Sequence, residues 1–92
     1  MLYECENFTI RLEYNKDFVI AHLPYCPKMT KEIFFQLQYK LDDWWEFFKM
    51  FDYPGIWAAI DPNDKKLKKL LTKLEFVYRG TADGLDVYQY GV

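Results

Sequence analysis

Apolar and polar residues alternate along the first part of the chain, and this alternation predicts β-strands. The apolar residues take every second position, as in a strand with one covered face: Phe8, Ile10, Leu12 and Tyr14. Turn-forming residues follow at 15–17, and then comes the nearly continuous apolar run FVIAHL at 18–23. This order predicts a β-hairpin whose second strand is the more buried and therefore central in the sheet. The opening LYEC predicts a short extra strand.

The apolar period changes to that of a helix after two prolines and Thr30, which is a good N-cap residue. Large apolar side chains then recur at steps of three and four and form one stripe: Phe34, Leu37, Leu41, Trp44, Phe48 and Phe51. We therefore predict a long helix from about Thr30 to Phe51, packed on the sheet and ended by DYPG at 52–55.

A short strand, a second helix and a closing hairpin complete the predicted fold. IWAAI at 56–60 reads as a buried strand, and four leucines form the apolar stripe of a lysine-rich helix that follows the DPND turn. The strands FVYRG and LDVYQY flank a loop at TADG. The order β-β-α-β-α-β-β predicts one α+β domain over residues 1–92, with a mixed, mostly antiparallel twisted sheet and two helices. The predicted core comprises Ile10, Leu12, Phe18, Ile20, Phe34, Leu37, Leu41, Trp44, Phe48, Trp57, Ile60, Leu67, Leu70, Leu74 and Phe76.

Composition narrows the class of protein. A net charge of −2 and a pI near 5.3 disfavour a nucleic-acid binder, which carries excess positive charge. Two cysteines fit neither a disulfide framework nor a zinc site, and one histidine with scattered carboxylates offers no metal-ligand cluster. The N-terminal residues lack a signal-peptide pattern, and no apolar run reaches transmembrane length. We expect a soluble, cytoplasmic protein with no membrane partner.

From residue 7 to 90, the chain resembles the C-terminal part of the N-acetyltransferase superfamily (GNAT). In that fold a central strand, a pyrophosphate-binding loop, a long helix, a strand, a second helix and a hairpin follow one another. The second helix of the family typically ends in N-x-x-A-x-x-L-Y-x-K-x-G-F, and DKKLKKLLTKLEF at 64–76 aligns with it without a gap. The chain looks most like short GNAT-like proteins encoded by tailed phages, which implies a truncated domain acting in the virion or the host cytoplasm.

The chain departs from the family where the family does its chemistry. The resemblance implies a glycine-rich loop whose N–H groups hold the pyrophosphate of acetyl-CoA, but the loop here, PYCPKMT, has no glycine and two prolines that lack N–H groups. The family's general-acid tyrosine falls at Leu71, which cannot donate a proton. Asp64 and Glu75 replace the family's asparagine and glycine. These changes predict a non-catalytic protein, with acetyl-CoA-dependent acetyl transfer as the alternative.

Several residues are candidates for chemistry if the protein is an enzyme. His22 would be the general base, Tyr25 a substitute acid and Cys26 a nucleophile. Acetyl-CoA would dock at Lys28, Met29 and Thr30. The alternative for His22 is a half-buried histidine hydrogen-bonded to backbone at a strand end. The lysines of the second helix either meet a phosphate or form a solvated face balanced by Asp42, Asp43 and Glu46.

Four large side chains of the long helix lie off its core stripe at about 100° per residue or at its edge: Phe35, Tyr39, Phe47 and Met50. Surplus aromatic and Met side chains bordered by Glu32, Asp43 and Glu46 suit a contact surface. The main functional prediction is therefore a non-catalytic interaction module, without a cofactor, that binds a protein partner or itself. The alternative is that loops or the N-terminus of the domain cover these side chains.

Overall fold

The fold is a six-stranded mixed sheet with two helices, seen in a computed structural model that describes residues 2–25 and 28–91, the side chains of residues 24 and 25 excepted. The elements are β1 (Leu2–Glu4), β2 (Thr9–Tyr14), β3 (Val19–Tyr25), α1 (Lys31–Lys49), β4 (Ile56–Ile60), α2 (Lys65–Lys73), β5 (Val77–Ala82) and β6 (Leu85–Tyr90). The strand order is β1-β2-β3-β4-β6-β5. Only β3 and β4 pair in parallel among the described strands. The predicted α+β class, the extra N-terminal strand and the central position of FVIAHL are confirmed.

Both helices pack on the same face of the sheet. Asp86 and Tyr90 lie four residues apart on β6 and therefore point to the same side. The Asp86 carboxylate pairs with Lys68 of α2 at 2.7 Å, whereas the Tyr90 hydroxyl donates a hydrogen bond to Asp42 of α1. The layer of helices thus covers one face, and no helix among the described residues covers the other.

Alternation along the strands decides which predicted core residues are buried. The buried apolar side chains of the sheet point toward the helices and form one cluster with the buried residues of both helices: Ile10, Leu12, Val19, Ile56, Ala58, Ile60, Tyr88 and Tyr90. Val19 points inward, so Ile20 next to it, like its neighbour Trp57 on β4, lies on the uncovered face and is only partly buried. Phe18 is 40% exposed. The core prediction was wrong for Phe18, and too strong for five residues that are only partly buried: Ile20, Phe34, Trp57, Leu67 and Leu70.

The long helix begins where predicted and ends earlier. The Ile33 N–H donates to the Thr30 hydroxyl at 3.2 Å, which confirms Thr30 as the N-cap. The helix ends at Lys49, and Asp52 takes the left-handed conformation at φ 63°. Phe51 therefore leaves the core stripe and is 61% exposed, contrary to the prediction.

The C-terminal hairpin forms as predicted, but β5 extends to Ala82, so the predicted loop at TADG is a turn of two residues. Asp83 and Gly84 both have positive φ, 52° and 77°, as in the two-residue Asp-Gly turns that match the twist of hairpin strands. The register of β5 against β6 shifts between Tyr78 and Gly80, so the strand carries a bulge at Arg79.

Candidate functional site

The outward side of α1 carries large apolar side chains that the fold does not bury. Exposed fractions are 53% for Phe35, 76% for Tyr39, 45% for Phe47 and 78% for Met50. These four residues define the outer face of α1. The alternative, in which loops or the N-terminus cover them, does not occur among the described residues. Phe47 also contacts Phe51, with ring centroids 5.3 Å apart, so the apolar surface extends past the end of the helix.

Three acidic residues of α1 have partners on α1 itself or on β6. Asp43 lies 3.7 Å from Lys40 and Glu46 lies 3.0 Å from Lys49, both as pairs three residues apart on the helix surface. Asp42 accepts the hydrogen bond from Tyr90. These three carboxylates thus contact groups of α1 and β6. The α2 lysines Lys65, Lys66, Lys69 and Lys73 are exposed, in keeping with the predicted solvated face.

A cavity of about 370 Å³, the central cavity, lies between the two helices and the sheet. β3 and β4 pair at only two positions, Val19 with Ile56 and Ile20 with Trp57, and the cavity adjoins the unpaired continuation of both strands. Its walls are mostly aliphatic: Ile10, Ala21, Leu23, Leu37, Leu41, Ala58, Ile60, Leu67, Leu70, Leu71 and Leu74. The titratable residues along this described lining are Arg11, His22 and Asp61. Arg11 and His22 are paired neighbours on β2 and β3 at positions that alternate with the inward-facing ones, so their side chains lie on the uncovered face of the sheet.

A second space, the lysine groove, opens between the start of α1 and α2 and encloses about 930 Å³. It shares Leu23, Leu67 and Leu70 with the central cavity, so the two spaces adjoin. The rest of its lining is apolar or basic, with one hydroxyl and one carboxylate: Met29, Thr30, Lys31, Phe34, Asp64, Lys66, Lys69 and Lys73. The Asp64 carboxylate accepts from the Leu67 N–H at 3.1 Å and caps α2. The groove therefore combines an apolar floor with a positively charged rim.

His22 borders the central cavity from β3, but its side chain points to the uncovered face of the sheet, as Ile20 does. Its Nε2 atom is buried and makes no hydrogen bond within the described part of the chain. The Glu13 Oε1 atom lies 3.3 Å away, and Glu13 also pairs with the Arg11 Nη2 atom at 3.1 Å. The backbone hydrogen bond expected for His22 is thus not made by Nε2, and an acid–imidazole contact takes its place.

The other candidates for catalysis and cofactor binding do not join His22 in one cluster. The Tyr25 side chain and Cys26 lie outside the described residues. Met29 and Thr30 line the lysine groove, where the Thr30 hydroxyl already caps α1, and Lys28 is exposed nearby in the chain. Leu71 is buried and lines the cavity, so the position that the resemblance assigns to a general acid presents an alkyl group.

Two titratable groups with shifted pKa values join the helices to the sheet. The hydrogen bond from Lys68 to Asp86 raises the pKa of the Lys68 ammonium above its ordinary 10.5. Burial, followed by the hydrogen bond to Asp42, raises the pKa of the Tyr90 phenol well above its ordinary 10. Each group links one helix to the sheet, so its role is structural.

Among residues 2–25 and 28–91, no group of three or more His, Cys, Asp or Glu side chains could hold a metal ion. Within the same ranges no helix has both the length and the apolar character needed to cross a membrane. Comparisons with protein-family models, with curated proteins and with solved structures each find no match to the chain.

The lysine groove is the feature that sequence reasoning missed. Leu67 and Leu70 belong to the apolar stripe of α2, and a stripe alone suggests contact with the sheet. They instead stand over the central cavity and the groove, and both remain partly exposed. The available signal was the run of lysines around them, whose charged ends stay in water and leave α2 only one leucine stripe to bury.

Proposed function

We propose that the protein is a non-catalytic interaction module that binds a protein partner through the outer face of α1. The observation that carries this proposal is the exposure of four large apolar side chains on one helix whose opposite side is already packed. The exposed parts of Phe, Tyr and Met side chains add little to the stability of a folded domain, whereas aromatic and Met anchors are enriched at binding surfaces. Such anchors commonly dominate the free energy of binding.

The charges beside this face bear on the class of partner. Glu32, Asp43 and Glu46 border the apolar side chains. The pair of Glu46 with Lys49 is exposed and contributes little, whereas Lys40, the partner of Asp43, is partly buried. A partner with a basic surface would meet complementary charge, which speeds encounter more than it adds affinity. The resemblance to short phage-encoded proteins supports a role in a virion or in contact with host proteins.

A capture experiment tests this proposal. Tagged wild-type protein and the double variant Phe35→Glu, Tyr39→Glu are used to capture partners from the cells that naturally contain the protein. A matched control, Val77→Glu with Tyr78→Glu, adds the same two charges to the edge strand β5, where the side chains are 46% and 53% exposed. We expect the α1 variant to lose its partner and the β5 variant to keep it. If both variants retain every partner and the mass of the wild type in solution, the proposal is wrong.

The second candidate is an acetyl-CoA-dependent N-acetyltransferase with a degenerate cofactor loop. The observation that favours it is the aliphatic central cavity adjoining a groove with four lysines, since a thioester tail and a phosphorylated head need these two environments. His22 would be its general base, although its side chain points away from the cavity, toward the uncovered face of the sheet. Against this candidate stand the glycine-free loop, whose two prolines lack N–H donors, and the alkyl side chain of Leu71.

Calorimetry with acetyl-CoA separates the two candidates. We expect no saturable heat of binding in the range of about 1 μM to 1 mM that is usual for substrates. A stoichiometric signal that disappears in a Lys66→Glu, Lys69→Glu variant would instead support the acetyltransferase, with the groove as its binding site.

A further inference from the structure

Positive charge is concentrated on α2. The nine residues of this helix hold five of the twelve cations and none of the fourteen acids of the chain. The other 83 residues therefore carry a net charge of −7, against +5 for α2. Two surfaces of opposite charge on one molecule can attract each other between copies.

The lysine groove has the composition of a receptor for an acidic amphipathic helix. Its floor is formed by apolar side chains such as Met29, Phe34 and Leu70. Its rim carries four lysines, none of which makes an ion pair within the described residues: Lys31, Lys66, Lys69 and Lys73. A helix bound in such a groove places apolar anchors on the floor and carboxylates against the rim.

The outer face of α1 offers the complementary pattern. Phe35 and Tyr39 lie one turn apart, and Glu32 and Asp43 flank them on the same side of the helix at about 100° per residue. Glu32 makes no ion pair among the described residues, and Asp43 makes one loose contact of 3.7 Å with Lys40. The apolar centre and the acidic border of this helix match the floor and the rim of the lysine groove.

The two surfaces adjoin on the same helix. Phe34 lines the groove, whereas Phe35 points outward, and their ring centroids are 5.8 Å apart. A two-fold axis at this boundary lets each copy place its own α1 in the groove of the other, so both contacts form together and the assembly closes as a pair. We infer that the partner of the outer face of α1 is a second copy of this chain, seated in the lysine groove. This inference rests on the proposed function and names its partner.

Sedimentation equilibrium of the full chain tests the inference by charge reversal. The wild type should be a dimer that dissociates on dilution and with added salt, because the contact includes charges near the surface. Lys66→Glu with Lys69→Glu reverses the charge on the rim of the lysine groove. Glu32→Lys with Asp43→Lys reverses the charge that borders the outer face of α1. Each pair alone should raise the dimer dissociation constant roughly 100-fold, because like charges then face each other. The chain with all four substitutions should recover most of the wild-type affinity, and circular dichroism checks that each variant is folded.

Three results would overturn the inference. The first is a wild type that stays monomeric up to a protein concentration of about 100 μM, because a specific dimer of ordinary affinity would form at that concentration. The second is a dimer that neither charge reversal weakens or that the combined variant fails to restore. The third is a monomer that binds acetyl-CoA through Lys66 and Lys69, which assigns the groove to that ligand. A monomeric wild type that still captures a partner through Phe35 and Tyr39 would leave the proposed function standing, so the two failures can be told apart.

Discussion

The two helices lie on the same face of the sheet and contribute to the fold in different ways. α1 buries five residues along one side and still exposes large apolar side chains on the other. α2 buries one residue within its length, leaves a cavity beneath its leucines and presents lysines outward. Apolar content alone therefore does not tell how much of a helix is packed in the core. The two helices differ in which of their apolar side chains remain exposed once the sheet is covered.

The difference also shows in how each helix is attached. α1 is held mainly by close packing, since Leu37, Leu41 and Phe48 are each 2% exposed. α2 is held by Leu71, the C-terminal Leu74 and the ion pair between Lys68 and Asp86. Packing is strong and insensitive to pH, whereas an ion pair depends on protonation. The first three predictions test this contrast.

The largest effect is expected from matched leucine truncations in the two helices. Leu41→Ala should cost about 2–5 kcal/mol of the free energy of unfolding, because it removes a fully packed side chain of α1. Leu67→Ala should cost about 1 kcal/mol, because Leu67 is partly exposed and already borders empty space. Urea denaturation measures both values. Equal losses would show that α2 is packed as tightly as α1.

A smaller loss is expected when the ion pair beneath α2 is broken. Lys68→Met leaves the carboxylate of Asp86, which is only 7% exposed, without its partner and should lower the melting temperature. Lys68→Met combined with Asp86→Leu should recover most of the loss, because no charge then remains buried. A single variant as stable as the wild type would mean that Asp86 is solvated without Lys68.

The same pair predicts a loss of stability at alkaline pH. The pKa of Lys68 in the folded protein is raised above 10.5, so its contribution is complete below that value and disappears as the pH rises through the raised pKa. The pKa of Tyr90 is raised above 10 and acts in the same direction. Thermal melts from pH 8 to about pH 11 should show a decline at the upper end. The decline should be smaller in Lys68→Met, and smaller still when Tyr90→Phe is added.

Removing the Tyr90 hydroxyl at neutral pH should cost about 1 kcal/mol, the usual net value of one hydrogen bond. The bond joins β6 to Asp42 of α1, whose packing stays intact in Tyr90→Phe. Urea denaturation of Tyr90→Phe and of Asp42→Asn measures the contribution of the hydrogen bond by removing its donor in one variant and changing its acceptor in the other. A loss as large as that of Leu41→Ala would mean that α1 depends on this bond more than on packing.

The smallest effects are expected at the helix ends, and they are gains. Glu75 at the end of α2 has φ 71°, and Asp52 after α1 has φ 63°. Left-handed backbone is strained for Glu and better tolerated by Asp. Glu75→Gly should therefore add about 0.5–1 kcal/mol of stability, and Asp52→Gly less. Melting curves that rank the two variants in the opposite order would contradict this account.

Much of this fold follows from periodicity. The helical spacing of α1 identified its buried side, and Thr30 and Asp-Gly marked a helix start and a hairpin turn. The uncovered face of the sheet could not be predicted, because the runs FVIAHL and IWAAI are apolar at successive positions and do not indicate which side is covered. Ile20 and Trp57 were assigned to the core for this reason.

The candidate site was likewise predicted from the sequence only in part. The exposed side chains of α1 were predicted because the geometry of a single helix fixes which residues share a side. The lysine groove depends on the distance between two helices that are far apart in the chain, and no local pattern encodes that distance. The pairing of Lys68 with Asp86 likewise joins residues 18 positions apart across the layers of the fold.

Site-specific photo-crosslinking tests the central claim, that the outer face of α1 is a binding surface, most directly. p-Benzoylphenylalanine replaces Tyr39 in one protein and Tyr78 in a matched control, both of which are exposed tyrosines, at 76% and 53%. Irradiation in the cells that naturally contain the protein should give a discrete adduct from position 39 and none from position 78, and an adduct of twice the chain mass would identify a second copy. No adduct from position 39, or the same adducts from both positions, would contradict the account.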